Sequence, residues 1–316
     1  MEPTVTRLTL YSPAGVVARA PALRRAARRL RALDFDVDID AAALARHQRF
    51  AGDDDTRLDA LHRVADRAPG IALASRGGYG LTRLLDRIDW TRFGRSIERG
   101  TRWVGHSDLT VLQLAWLAHA KSAAGVTWAG PLACEDFGRP DEDGGVDEVT
   151  RDCFLEAMSG ALEAVGFRTE AGFDGLQLRG TLWGGNLCMV ASLLGTRHFP
   201  RVRGGVLFLE DVNEHPYRIE RSLLQLHQAG VLDAQHAVVL GQFSAWRASP
   251  LDRGYTLKSV VAHLRTVTRT PILSGLPFGH TPVKVSLPVG ARVSVLVQGR
   301  DALIGWEHRH TLPGGA

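Results

Sequence analysis

The chain has 316 residues, of which 45% are hydrophobic and 23% are charged, a composition typical of a soluble globular protein large enough for two domains. Its 38 basic and 34 acidic residues leave a net charge of +4, and the arginines are spread along the chain, so we expect no nucleic acid partner. The densest basic run, residues 24–31, has the spacing of the solvated face of a helix.

Strand and helix patterns alternate along the first 130 residues. Short apolar runs predict strands, and apolar residues at helical spacing predict helices between them. This alternation indicates an N-terminal α/β domain in which helices flank a parallel sheet. The predicted strands cover 8–12, 35–39, 70–75, 103–104 and 126–129. The predicted helices cover 20–33, 81–88 and 109–120, and a further helix begins at the acidic residues 53–55.

Residues 135–152 are rich in charged and turn-forming residues, which predicts a loop that leaves the first domain before a helix over 149–165. The following half predicts a smaller, mixed α/β domain that ends in β-strands. We therefore divide the chain into an N-terminal domain (1–135), a linker with a connecting helix (136–170) and a C-terminal domain (171–316). In the last of these we predict strands at 176–182, 205–210, 237–241 and 271–275, helices at 187–194, 217–228 and 257–267, and a terminal hairpin of 283–287 with 291–297.

The three cysteines, Cys134, Cys153 and Cys188, are far apart and include no C-x-x-C pair, which argues against a disulfide framework and against a zinc site. Such sparse cysteine fits a reducing compartment, and the first residues lack the pattern of a secretory signal. The strongest apolar segment, 109–120, is too short to cross a bilayer. We expect a cytoplasmic protein with no membrane partner.

A serine lies at the predicted turn between strand and helix in Arg102-Trp-Val-Gly-His-Ser-Asp-Leu-Thr110. Its hydroxyl would be exposed beside helix N-terminal amides, which lack partners and favour negative charge. Acyl-transfer hydrolases place a nucleophilic serine at such a turn, although Leu109 stands where the G-x-S-x-G pattern has its second glycine. The alternative is that Ser107 or Asp108 merely caps the helix.

Two further turns at strand ends have features of a catalytic site. The turn Ser75-Arg-Gly-Gly-Tyr-Gly80 matches neither common phosphate-binding glycine pattern, so we interpret it as a tight turn or as half of an oxyanion hole. Glu210 ends an apolar strand, where a carboxylate is costly unless it is paired or used. A metal site at Glu210, Asp211, Glu214 and His215 has weak support, because no second histidine lies at a spacing of four residues from His215.

The loop Pro277-Phe-Gly-His-Thr281 places a histidine where a general base could reach a nucleophile. His106 is a poorer candidate, because neighbouring side chains at a turn generally point apart. The segment Gly184-Gly-Asn-Leu187 either lines a pocket together with Trp183 or makes a close contact between strand and helix. Ser107, Glu210 and His280 together suffice for a nucleophile, an orienting acid and a base.

The chain resembles the bacterial LD-carboxypeptidases, the muramoyl-tetrapeptide carboxypeptidases of cell-wall recycling. The similar stretches follow the order of the family over nearly the whole chain. They are Ser75-Arg-Gly-Gly-Tyr-Gly80, Gly105-His-Ser-Asp108, Gly130-Pro-Leu132, Gly180-Thr-Leu-Trp-Gly-Gly-Asn-Leu187, Leu207-Phe-Leu-Glu-Asp211, His215-Pro-Tyr-Arg-Ile219 and Phe278-Gly-His280.

This resemblance implies a catalytic triad and an oxyanion hole. Ser107 would be the nucleophile in G-H-S-D, Glu210 the acid in L-E-D and His280 the base in F-G-H. The oxyanion hole would use the backbone amides of Asp108 and Gly78, with Gly77 as the alternative to Gly78.

The implied reaction is hydrolysis of the amide between the L-centre of a diamino acid and the terminal D-alanine of a murein tetrapeptide, without a metal or other cofactor. The resemblance also implies a homodimer. Arg76 is a candidate partner of the D-alanine carboxylate only because it is near in sequence. Two alternatives remain open, a microcin-immunity amidase that cleaves aminoacyl-nucleotides and a non-catalytic α/β protein that binds a small ligand.

Overall fold

The computed structural model describes residues 5–120 and 125–307, which form two sheets with helices packed around them. The strands are β1 (Arg7–Tyr11), β2 (Asp36–Ile39), β3 (Ile71–Ala74), β4 (Arg102–Gly105), β5 (Thr127–Ala129), β6 (Ala164–Arg168), β7 (Gln177–Asn186), β8 (Val206–Val212), β9 (Ala237–Ser244), β10 (Ile272–Ser274), β11 (Leu287–Val289), β12 (Arg292–Gln298) and β13 (Asp301–Trp306). The α-helices are α1 (Ala20–Arg31), α2 (Asp54–Arg67), α3 (Trp90–Glu98), α4 (Leu109–His119), α5 (Glu148–Ser159), α6 (Leu187–Ser192), α7 (Pro216–Gln228) and α8 (Leu257–Val267).

The first sheet has the order β11-β5-β4-β3-β1-β2, and all its pairings are parallel except that of β11 with β5. Every residue of β3 is buried, as expected for a strand with helices on both faces of its sheet. Parallel strands bring their carboxyl ends to one edge, so the turns that follow β3, β4 and β5 lie near one another. Such an edge is where α/β proteins commonly bind ligands.

The second sheet has the order β10-β9-β8-β7-β12-β13-β6, in which β7 to β10 are parallel and the strands beyond β7 are antiparallel. This confirms the predicted fold class, an α/β protein with a parallel N-terminal sheet, a mixed C-terminal sheet and terminal strands. Among the described residues the second sheet contains seven strands and the first six, so it is not the smaller of the two.

Two predicted helices differ from the observed ones. The helix predicted over 81–88 is wrong, because only Leu81–Arg83 forms a short 3-10 turn and the true helix is α3. The buried leucines of 81–88 follow a helical spacing because they cover the core, whereas Asp89 accepts a hydrogen bond from Arg92 N and so begins the helix there. The helix predicted over 149–165 ends at Gly160, which adopts a left-handed conformation, and β6 follows.

The predicted terminal hairpin is also wrong. The segment around Pro288 forms β11, which pairs with β5 in the first sheet, and the hairpin is instead formed by β12 and β13. Proline lacks the N–H group needed in a central strand, so an edge position suits it. The predicted domain limits therefore do not follow the sheets, since β11 returns to the first sheet and β6 of the predicted linker joins the second.

The buried core is continuous across both sheets, and Trp103, Trp128 and Trp183 are among its largest fully buried side chains. None of the helices in the described ranges is long and apolar enough to cross a membrane.

Candidate active site

Ser107 lies at the turn between β4 and α4 in a strained conformation. Its φ is +64°, a region that non-glycine residues rarely adopt and that is enriched at functional sites. Its side chain is partly exposed, and its Oγ makes no hydrogen bond to any described residue. Asp108, the N-cap residue of α4, makes no capping hydrogen bond with its side chain either. Asp108 thus occupies the N-cap position that the alternative interpretation predicted, but neither side chain caps α4 with a hydrogen bond to the described residues.

The glycine turn after β3 packs directly against this serine. A Cβ atom on Gly77 would lie 2.5 Å from both Cβ and Oγ of Ser107, so only glycine permits the approach. The turn is fixed from its other side, where Gly15 N donates a hydrogen bond to Gly77 O at 2.9 Å. In the described ranges, the backbone amides of Gly78 and Asp108 donate to no acceptor. Such free N–H groups beside a nucleophile can stabilise an oxyanion.

The Asp108 side chain links the serine turn to the glycine turn. Its Oδ2 accepts a hydrogen bond from Leu81 N at 2.9 Å, whereas its buried Oδ1 has no hydrogen-bond partner in the part of the chain that the structure describes. Burial raises the pKa of Asp108 to about 6, although the backbone hydrogen bond from Leu81 and the nearby Arg57 charge act in the opposite direction. The two turns that would form the oxyanion hole are thus held together by a buried side chain.

The acid and base predicted from the sequence are in direct contact. Glu210 on β8 is fully buried, and its Oε2 accepts a hydrogen bond from His280 Nδ1 at 2.8 Å. Burial lowers the pKa of His280, but the hydrogen bond and charge of Glu210 outweigh this effect, and the pKa is raised above its usual value. Ser244 Oγ donates to the His280 carbonyl at 3.2 Å and so holds the backbone of the base.

Asn186 at the end of β7 was not identified from the sequence. Its Nδ2 donates to Glu210 Oε1 at 3.2 Å and to Asp211 Oδ1 at 3.0 Å, and its backbone N–H donates to Thr110 Oγ1 at 3.0 Å. Thr110 lies in the first turn of α4, so Asn186 connects the Glu210 side of the site to the Ser107 side. The signal in the sequence was an asparagine that follows two glycines at a strand end.

The second of these glycines makes a close contact across the two domains. A Cβ atom on Gly185 would lie 2.5 Å from Thr110 Oγ1. Trp183 is fully buried and donates from Nε1 to Gln235 Oε1 at 3.0 Å. Of the two interpretations of this segment, close contact between strand and helix is the one that the structure supports.

His106 packs beside the base without taking its place. Its Nδ1 donates to the Gly130 carbonyl at 2.9 Å, and its ring centroid lies 4.9 Å from that of His280, nearly perpendicular to it. Burial, together with the neighbouring charges of His280 and Lys284, lowers the pKa of His106 well below its usual value. The environment of His106 therefore favours its neutral form, beside the candidate base His280.

Asp211, which follows Glu210, and Arg76, in the glycine turn after β3, each have partners within the protein. Asp211 accepts a hydrogen bond from Cys188 N at 2.9 Å, and burial raises its pKa to about 6. Arg76 donates to the Val16 carbonyl at 2.9 Å, and its Nε lies 3.6 Å from Glu135 Oε1. Both side chains therefore have roles within the protein that the sequence did not predict.

The fold is that of an α/β protein with two sheets, and the candidate catalytic groups lie in turns at the ends of strands of both sheets. Residues 8–126 match the family model of the LD-carboxypeptidase N-terminal domain, and residues 179–295 match that of the C-terminal domain. The chain belongs to the LD-carboxypeptidase family.

Individual relatives agree with this assignment. The murein tetrapeptide carboxypeptidase of Pseudomonas aeruginosa is 30% identical over 92% of this chain and 92% of its own length. A putative carboxypeptidase of Streptomyces coelicolor is 32% identical over 90% of this chain and 88% of its own. The crystal structure of muramoyltetrapeptide carboxypeptidase from Oxalobacter formigenes has a TM-score of 0.84 at 37% identity and covers 95% of this chain and 99% of that one.

The microcin C7 self-immunity protein MccF, in complex with aspartyl sulfamoyl adenosine, shares the fold. Its TM-score is 0.83 over 97% of both chains, at only 18% identity. This similarity concerns the architecture alone. The family comparisons thus support a carboxypeptidase that processes murein peptides.

Proposed function

We propose that the protein is a serine carboxypeptidase that releases the terminal D-alanine from murein tetrapeptides. The observation that carries this proposal is the hydrogen bond of His280 to the buried Glu210, with the His280 ring 4.9 Å from that of His106, the residue before the strained Ser107, in a chain of the LD-carboxypeptidase family. The relative from Pseudomonas aeruginosa is named a murein tetrapeptide carboxypeptidase, which supports the choice of substrate.

In the proposed reaction, Ser107 attacks the carbonyl carbon of the scissile amide while His280 takes its proton. A carboxylate can only accept hydrogen bonds, so Glu210 keeps the proton of the neutral imidazole on Nδ1 and leaves Nε2 free to act as base. Glu210 then stabilises the imidazolium that forms. A hydrogen bond between nucleophile and base is often loose in a free enzyme and tightens when substrate binds.

The negative charge on the substrate oxygen would be held by the backbone amides of Asp108 and Gly78, or of Gly77. These amides belong to the two turns that Asp108 ties together. His280 next protonates the leaving amine, which departs as D-alanine, and water activated by His280 hydrolyses the acyl-enzyme to release the tripeptide. Arg76 is our candidate for the partner of the D-alanine carboxylate.

The decisive experiment offers purified enzyme three substrates separately, the tetrapeptide, its UDP-linked form and an aminoacyl-adenylate, with products identified by mass spectrometry. We expect D-alanine and tripeptide from the wild type and neither from Ser107→Ala. Cleavage of the adenylate alone would favour the microcin-immunity activity. Equal D-alanine release by both proteins would reject the serine mechanism, and binding without cleavage would favour a binding protein.

We further propose a cytoplasmic homodimer, as the family resemblance implies. All three cysteines are free, which fits a reducing compartment. Light scattering of the purified protein tests the dimer, and a monomer at micromolar concentration would contradict it.

A further inference from the structure

A buried ion pair joins the loop that carries His280 to the first domain. The side chains of Lys284 and Asp136 are only 3% and 2% exposed, and Lys284 Nζ donates a hydrogen bond to Asp136 Oδ1. Desolvation makes a buried ion pair costly, and an uncharged pair of similar size is often at least as stable. A pair in this position therefore suggests a role in fixing geometry.

The lysine holds the backbone of the loop immediately after the base. Lys284 Nζ also donates to the carbonyl of Thr281, the residue that follows His280, at 2.7 Å. The backbone N–H of Lys284 donates to Thr150 Oγ1 at 2.8 Å, and Thr150 Oγ1 donates to the Pro282 carbonyl at 2.9 Å. The loop is thus fixed to α5 by hydrogen bonds and to Asp136 by charge.

Asp136 belongs to a segment that is hydrogen-bonded to the end of β4, next to the Ser107 turn. Asp136 lies in the helical turn Ala133–Phe137, and its Oδ2 accepts a hydrogen bond from Leu132 N at 2.7 Å. In the same segment, Gly130 N donates to the carbonyl of Gly105, the last residue of β4, at 3.2 Å. Arg139 Nη2 lies 3.6 Å from Asp136 Oδ1, so Arg139 is a second positive charge near the carboxylate.

Contacts within the second domain cannot set the distance between base and nucleophile. Glu210 orients the imidazole, but Glu210 lies on β8, in the same sheet as β10, the strand that precedes the His280 loop. The Lys284–Asp136 pair, in contrast, runs from that loop to the segment beside the Ser107 turn. The pair therefore constrains the distance between His280 and Ser107, on which proton transfer depends.

We propose that Lys284 and Asp136 are positioning residues, whose buried ion pair holds His280 at the distance from Ser107 that proton transfer requires. This inference rests on the proposed function, because it assigns both residues to the same site. A displacement of about 1 Å in such a site can reduce the rate about 100-fold.

The test compares Lys284→Met, Asp136→Asn and the double variant with the wild type, with Tm, kcat and KM measured for each. Asparagine keeps an acceptor for Leu132 N, and methionine keeps most of the lysine volume. We expect both single variants to lose Tm and kcat, because Asp136→Asn leaves the buried lysine without its partner and Lys284→Met leaves Asp136 only the more distant Arg139. In the double variant, Tm should return to near the wild-type value while kcat stays at least tenfold lower and KM changes less than twofold.

A double variant that recovers both Tm and kcat to within twofold of the wild type would overturn the proposal, because the pair would then serve stability alone. If the double variant does not fold, Asp136→Asn decides: folded protein with wild-type kcat overturns the proposal, and a tenfold lower kcat at unchanged KM supports it. The control is the more exposed ion pair of Arg265 with Glu170, since Arg265→Met/Glu170→Gln should leave kcat unchanged.

A second readout separates this inference from the choice of substrate. A fluorophosphonate probe labels a serine that a base has activated, whatever the natural substrate is. We expect labelling of the wild type, none of Ser107→Ala and at least tenfold slower labelling of the double variant. Labelling without D-alanine release would reject only the substrate, and equal labelling rates of wild type and double variant would reject the positioning role.

Discussion

Replacement of Glu210 by glutamine is the sharpest test of the candidate triad. Glu210 accepts two hydrogen bonds, from His280 Nδ1 at 2.8 Å and from Asn186 Nδ2 at 3.2 Å. A glutamine has one acceptor oxygen and one donor NH2 group, so it cannot satisfy both partners. If its oxygen faces His280, its NH2 group faces the NH2 group of Asn186, and two donors meet without an acceptor. If its oxygen faces Asn186, the NH2 group forces the imidazole proton onto Nε2, and the base is blocked.

The expected loss in kcat/KM is about 10⁴-fold, the magnitude known for the corresponding change of Asp to Asn in a serine protease triad. The pH dependence should change as well. Burial acts against protonation of His280, but Glu210 raises its pKa above the usual 6.5, so activity of the wild type should rise with pH through a value above 6.5. Without the carboxylate, burial remains and this acidic limb should move to lower pH.

The assay is D-alanine release from tetrapeptide, with kcat/KM measured between pH 5 and pH 9. The matched control is Glu214→Gln, because Glu214 lies four residues further along and pairs weakly with Arg218 at 3.7 Å. This control should keep wild-type activity and an unshifted acidic limb. A Glu210→Gln enzyme within tenfold of the wild type, or one whose acidic limb stays in place, would refute the assignment of Glu210.

Three further changes have defined outcomes. Gly77→Ala places a methyl group 2.5 Å from Ser107 Oγ, so kcat should fall at least about 100-fold while the far-ultraviolet circular dichroism is unchanged, and a rate within twofold would contradict this contact. Arg76→Met should raise KM for the tetrapeptide with little change in kcat, and an unchanged KM would remove Arg76 as the carboxylate partner. Burial and the nearby His198 lower the pKa of His119 below 6.5, so protonation favours the unfolded chain and stability should fall as the pH drops below 6.5. Thermal unfolding at pH 7.5 and 5.5 should show a smaller Tm difference for His119→Phe than for the wild type, and equal differences would contradict the role of His119.

Local pattern was sufficient to predict most elements of the fold. Strands β1, β3 and β4 of the first sheet lie in short apolar runs that end in a turn, and α8 was predicted with the bounds that the structure has. Prediction of a helix failed where buried residues had the spacing of a helix without forming one. Leucines at helical spacing over 81–88 cover the core without forming a helix, because Asp89 starts the next helix by accepting the Arg92 amide.

The candidate site was predictable only in part, for a physical reason. Ser107, Glu210 and His280 were recognisable because each follows or ends an apolar strand and matches a family motif. Asn186 follows two glycines at a strand end, whereas Lys284 and Asp136 have no local signal, and the roles of all three arise from contacts between distant positions. Lys284 and Asp136 are 148 positions apart, and nothing in either neighbourhood predicts that a lysine will be buried against that carboxylate.

The mistaken hairpin explains how the two halves of the site are joined. Because β11 pairs with β5 and not with β12, the loop that carries His280 begins at β10 in the second sheet and ends at β11 in the first. The candidate base His280 is therefore attached through the backbone to both sheets, and the segment that follows β5 supplies Asp136, which we propose holds it in place. A local hairpin would have left His280 attached to the second sheet alone. The strand that returns to the first sheet, together with the Lys284–Asp136 pair, thus gives a physical reason why a site divided between two domains can keep one geometry.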